Sequence, residues 1–137
     1  IRNSVDNALT ALRQFLDVDP RRYDIHINFP GAVPTDGPSA GVAIALGIYS
    51  ALTEKMVDHR IALTGEISLL GDVKPVGGVV AKVEAARRAG AQKVLIPQDN
   101  WQELFREVPL EVIPVKKLDE VIQLALLPIK CQGQVSA

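Results

Sequence analysis

The stretch Pro34-Thr35-Asp36-Gly37-Pro38-Ser39-Ala40-Gly41 decides how this chain is read. Pro38 suits the first turn of a helix, because the N–H it lacks would have no partner there. Asp36, just before it, has the chemistry of a cap. Ala40 to Leu52 then runs almost wholly apolar, interrupted by Gly41, Gly47 and Ser50, and reads as a buried helix reaching about Leu52. The segment therefore places a serine hydroxyl at the entrance of a core helix. Backbone N–H groups at such an entrance point outward and favour negative charge. Gly37, Ala40 and Gly41 leave room for another backbone to approach Ser39.

Upstream, Asn3–Leu16 has helical spacing through Val5, Ala8, Leu9, Leu12, Phe15 and Leu16, and Pro20 ends it. Tyr23–Phe29 alternates, with Ile25, Ile27 and Phe29 on one face, and predicts a half-buried strand. Pro30–Gly37 is an irregular loop. Downstream, Ile61–Thr64 reads as a strand, and Glu66–Val76 as two short strands turning at Leu70-Gly71-Asp72-Val73. Gly77-Gly78 precedes a helix, Val79–Ala89, closed by Gly90. The pattern then predicts strand Lys93–Ile96, helix Asn100–Arg106, strand Glu111–Val115 and helix Leu118–Leu127, with residues 129–137 as a loose tail. This alternation is typical of an α/β layered domain, here residues 1–128.

Composition narrows the function. The 137 residues, 47% hydrophobic and 23% charged, suffice for one domain with a core. A net charge of −1 offers no basic footprint for nucleic acid or an anionic membrane surface. No apolar run reaches the roughly 18 residues of a membrane span. Ile1 in place of a starting Met reads as a cut inside a longer protein. The single cysteine, Cys131, forms no internal disulfide and no multi-cysteine zinc site, which fits a reducing compartment. No metal site is expected.

A serine hydroxyl is a weak nucleophile until something takes its proton. The two histidines carry no sign of a triad: His26 lies on the polar face of the expected strand, and His59 sits in the charged stretch Asp58-His59-Arg60. Lys82 is the better base. On a helical wheel Val79, Val83 and Ala86 form the core stripe, with Lys82 beside it between Ala86 and Ala89, while Glu84, Arg87 and Arg88 project away. Desolvation disfavours an ammonium, and a neutral amine can accept a serine proton. Position alone leaves two plainer readings open. Ser39 would be a first-turn serine satisfying local backbone, and Lys82 a boundary lysine whose stem packs while its head reaches water.

Taken together, Pro34 to Gly41, Leu63-Thr64-Gly65-Glu66-Ile67, Val73-Lys74-Pro75-Val76-Gly77-Gly78 and Lys82 resemble the protease domain of Lon, the ATP-dependent serine protease. Val94-Leu95-Ile96-Pro97 followed by Asn100 extends the likeness, which runs from about residue 3 to 127. The spacing from Ser39 to Lys82 matches the family pattern. The resemblance implies an α/β Lon proteolytic fold related to domain 2 of ribosomal protein S5. It implies a Ser–Lys dyad, with Ser39 as nucleophile and Lys82 as base. Thr64 would orient the lysine amine; Asp36, Gly37, Pro38 and Ala40 support the serine. In some family structures the aspartate at the Asp36 position pairs with the lysine in an inactive arrangement. The substrates implied are unfolded or damaged polypeptides, cleaved in the cytoplasm by a hexameric full-length protein, with no cofactor for the chemistry itself. ATP and magnesium belong to the family's ATPase module, and no Gly-rich Lys-Ser/Thr phosphate loop occurs in these residues. Ala81 stands before Lys82 where the commonest bacterial form has Glu. That departure, joined to the serine motif, is similar to the bacterial B-type subgroup. A strand pair that the family carries before the first helix is missing, so the resemblance implies a truncated N-terminal edge. A competing reading is a non-proteolytic Lon-like scaffold attached to an ATPase. Such domains typically lack the serine motif.

Overall fold

The computed structural model describes residues 2–26 and 38–130. Its elements, in chain order, begin with helix α1 (Arg2–Leu12), a 3-10 turn (Pro20–Arg22), a second 3-10 turn (Pro38–Ala40) and helix α2 (Gly41–Thr53). Strands β1 (Lys55–Val57), β2 (Ile61–Leu63), β3 (Glu66–Ile67) and β4 (Val73–Lys74) follow, then helix α3 (Val79–Arg88) and strand β5 (Lys93–Pro97). Two 3-10 turns (Gln98–Asn100 and Glu103–Glu107) lead to β6 (Glu111–Val115), helix α4 (Leu118–Ala125) and β7 (Leu126–Lys130).

The centre is a parallel sheet in the order β2-β5-β6, with Ala62 opposite Val94 and Val94 opposite Val112. Parallel strands need crossover connections; the one from β2 to β5 carries α3, and the one from β5 to β6 carries the two later 3-10 turns. The period-two alternation of β5 sorts its side chains. Leu95 joins a core with Val42 and Ala45 of α2, Ala8 and Leu12 of α1, and Leu118 and Val121 of α4. Val94 and Ile96 face the other way, onto Val79 and Val83 of α3 and onto Phe105. Burial on both faces explains the unbroken apolar run Val94-Leu95-Ile96. The order is thus α1, α2 and α4 on one face and α3 on the other, the mixed α/β architecture expected.

Several boundaries differ from the sequence reading. Tyr23–His26 form no strand and Tyr23 is 49% exposed; 27–29 lie outside the described residues. An alternating segment becomes a strand only where a neighbour completes its ladder, and the described residues offer this one none. The first helix ends at Leu12 rather than Leu16. Its last amides fall back to three-residue spacing, Gln14 N–H to the Ala11 carbonyl at 3.3 Å. Asn100–Arg106 is not a helix, because Trp101 and Gln102 are extended between the two 3-10 turns. The last helix stops at Ala125, and Leu126–Lys130 pairs antiparallel with Lys55–Val57, so 129–130 belong to a strand rather than a tail. Strand β1 was not expected at all. Residues 131–137, Cys131 among them, lie outside the described residues. No helix among the described residues is long and apolar enough to cross a membrane.

Candidate active site

Ser39 sits in the 3-10 turn Pro38–Ala40 that runs directly into α2. No side chain caps that helix at Ala40. The expected capping residue Asp36, together with Gly37, lies outside the described residues. The turn is held instead by the corner after β2. Gly65 N–H donates to the Ser39 carbonyl at 3.2 Å, and the Gly65 carbonyl accepts the Val42 N–H at 3.0 Å. Thr64, 8% exposed, adds a long contact of 3.5 Å from its hydroxyl to the same Ser39 carbonyl. Thr64 is itself fixed by its N–H to the Leu95 carbonyl at 3.1 Å. The approach is close because Gly41 and Gly65 lack Cβ atoms. A Cβ at Gly41 would stand 2.9 Å from the Ile67 nitrogen.

Lys82 arrives from the opposite layer. Val79 and Val83 are buried against β5, which turns Lys82 and Ala86 toward the β2 edge of the sheet. There a cleft of about 250 Å³ is lined by Ser39, Ala40 and Ala43 on one side and by Lys82 and Ala86 on the other, with Ala62, Leu63, Thr64 and Val94 as its floor. Lys82 is half-buried. No carboxylate lines the cleft among the described residues. The acid nearest in sequence on α3, Glu84, faces outward and is engaged by Arg87 at 3.0 Å and by Arg88 at 3.6 Å. The Arg87 hydrogen bond holds the Glu84 carboxyl below its usual range.

Of the residues expected at the site, Ser39, Lys82, Thr64 and Ala40 thus line one cleft. Pro38 stands in the serine turn. His59 lines a neighbouring hollow with Arg60 and Ala89 rather than this one. The small walls Ala43 and Ala62 and the tie at Gly65 were not assigned roles from sequence. The only signal for Gly65 was its place in the Leu63–Ile67 stretch. No group of three or more His, Cys, Asp or Glu side chains that could hold a metal occurs among the described residues.

A serine entrance and a lysine helix meeting over a parallel sheet agree in class with what sequence comparison returns, a proteolytic domain. Residues 1–128 match the family of the Lon protease (S16) C-terminal proteolytic domain. The chain is 51% identical over 122 residues to Lon protease 2 of Bacillus subtilis, covering 88% of this chain and 22% of that protein. It is 45% identical over 140 residues to Lon protease of Clostridioides difficile, covering 93% and 18%. Against the Archaeal Lon protease of Methanothermobacter thermautotrophicus it is 42% identical over 131 residues, covering 92% and 20%. The chain belongs to the Lon C-terminal proteolytic domain family, and spans about a fifth of the length of these curated relatives.

Proposed function

We propose that this domain is a serine endopeptidase working through Ser39 and Lys82. The observation that carries the reading is that both side chains line one cleft although they come from opposite faces of the sheet. Lys82 Nζ takes the proton of Ser39 Oγ, and the oxygen attacks a peptide carbonyl carbon. The resulting oxyanion is held by backbone N–H groups at the serine turn. Lys82 passes the proton to the leaving amine as the C–N bond breaks. Water then hydrolyses the acyl-enzyme, with Lys82 again as base, and restores the Ser39 hydroxyl. The Thr64 hydroxyl has lone pairs left to accept from the lysine amine while it points its proton at the Ser39 carbonyl.

The substrates in this reading are unfolded polypeptides, whose extended backbone can reach a cleft at a sheet edge. ATP and magnesium act in an ATPase module outside these residues, because no phosphate-loop motif occurs among them. The intact protein works as a hexamer in the cytoplasm. Asp36 acts as a modulator of Lys82 or as a cap.

The test is cleavage of an unfolded fluorogenic protein by this chain. Ser39→Ala and Lys82→Gln should each lower the rate by roughly three orders of magnitude or more while circular dichroism stays unchanged. A folded Ser39→Ala protein cleaving at the original rate would sink the reading.

A further inference from the structure

We propose that Asn100 is a positioning residue for Lys82, acting through the backbone of Val76. The proposal rests on Lys82 being the base, as argued above. The Lys82 N–H donates to the Gly78 carbonyl at 3.1 Å, so the lysine stands on the first turn of α3 and moves with the helix entrance. Val79 packs that entrance against β5, but no polar side chain ties it there. Gly78 is the capping residue, in the left-handed region at φ 67°, and no side chain caps the helix there. A Cβ at Gly77 or at Gly78 would meet nothing within 4 Å. Burial of Val79 and Val83 sets how α3 is rotated about its axis. Rotation alone does not fix where along that axis the helix begins.

The Asn100 amide supplies the missing restraint. Its Oδ1 accepts the Val76 N–H at 2.8 Å, and its Nδ2 donates to the Val76 carbonyl at 2.9 Å. Two bonds from one planar group to both polar atoms of one residue fix distance and orientation together, as a strand neighbour would. Asn100 ends the 3-10 turn that leaves β5 at the buried Pro97. The restraint therefore runs from the central strand through Asn100, Val76 and Gly78 to Lys82. Asn100 does not line the cleft, so its effect falls on the placement of the lysine and not on substrate contact.

The experiment compares this chain with Asn100→Ala, Asn100→Gln, Lys82→Ala and Ser39→Ala, using a fluorogenic peptide and amide hydrogen exchange. Displacing a catalytic group by about an ångström can cost roughly 100-fold. Asn100→Ala should therefore lower kcat between roughly 10- and 100-fold, with KM moving less than about twofold. Exchange at the Lys82 and Val83 amides should quicken, while strand β6 stays protected. Asn100→Gln, with the same amide one methylene further out, should recover part of both effects. An Asn100→Ala protein with the original kcat, a loss confined to KM, or unchanged protection at the start of α3 would each overturn the proposal. The exchange measurement decides even if the unsubstituted chain proves slow on the peptide. Should Asn100→Ala fail to fold, Asn100→Asp carries the same test, since it keeps the acceptor for the Val76 N–H and sets an oxygen against its carbonyl. Lys82→Ala that still cleaves would break the base assignment itself. Inactive Lys82→Ala beside fully active Asn100→Ala would remove the positioning role alone.

Discussion

A single missing methyl at Gly65 lets the corner after β2 reach the serine turn. A Cβ there would stand 2.8 Å from Val42 Cγ2 and 2.9 Å from Val73 Cγ1, both on buried side chains with no room to retreat. Gly65→Ala should lower stability by about 1–3 kcal/mol, the usual cost of overpacking. It should also slow cleavage, because the Gly65 N–H holds the Ser39 carbonyl. Gly77 provides the contrast, since a Cβ there meets nothing within 4 Å. Gly77→Ala should leave stability within about 1 kcal/mol of the parent, and urea midpoints of the two variants check both statements. At this scale the sequence was informative where a residue departs from its surroundings. Lys82 stood out as a charge beside an apolar stripe, and Ser39 as a hydroxyl before an apolar helix. Asn100 could not be read the same way, because its role lies in two hydrogen bonds to a backbone 24 positions away. No local pattern encodes that.

Elements defined by their own periodicity were legible, and those defined by a distant partner were not. Strand Glu111–Val115 lies where its pattern places it, and α3 differs from the expected Val79–Ala89 by one residue. Both bury a face whose spacing the sequence displays. Strands β1 and β7 exist because each completes the other, with Val57 opposite Leu126. Lys55-Met56-Val57 alone shows no alternation to reveal it. The turn after β1 carries a prediction of its own. The Arg60 guanidinium, and then the Arg60 N–H, bond the Asp58 carboxyl and hold it at about 2, below the ordinary 3.8. A depressed carboxylate adds stability above its unfolded value, and that stability is lost as pH falls from near 3.8 through about 2. Asp58→Asn should remove this part of the acid slope in urea midpoints followed from about pH 5 downward. At the centre, Leu95→Ala, opening a hole beneath α2, should cost about 2–5 kcal/mol. Differential scanning calorimetry would read it as a lowered Tm.

For the whole molecule, the arrangement predicts a division of labour. The cleft is part of this chain, and the motif for ATP binding is not. The chain alone should therefore cleave unfolded proteins and leave a stably folded one intact, whether or not ATP is added. Gel analysis of a permanently unfolded protein beside its folded counterpart tests this. Degradation of the folded one by this chain would contradict the proposed separation of unfolding from cleavage.

The two sides of the cleft belong to different halves of the interior: α2 to the larger cluster with Leu95, α3 to the smaller one with Val94 and Ile96. Neither layer holds both Ser39 and Lys82. A chain still emerging during synthesis presents the serine helix well before the lysine helix exists, and the two meet only when both have closed over β5. On the proposed mechanism the fold works as a coincidence requirement: a half-made or half-melted copy would carry the proposed nucleophile without its proposed base.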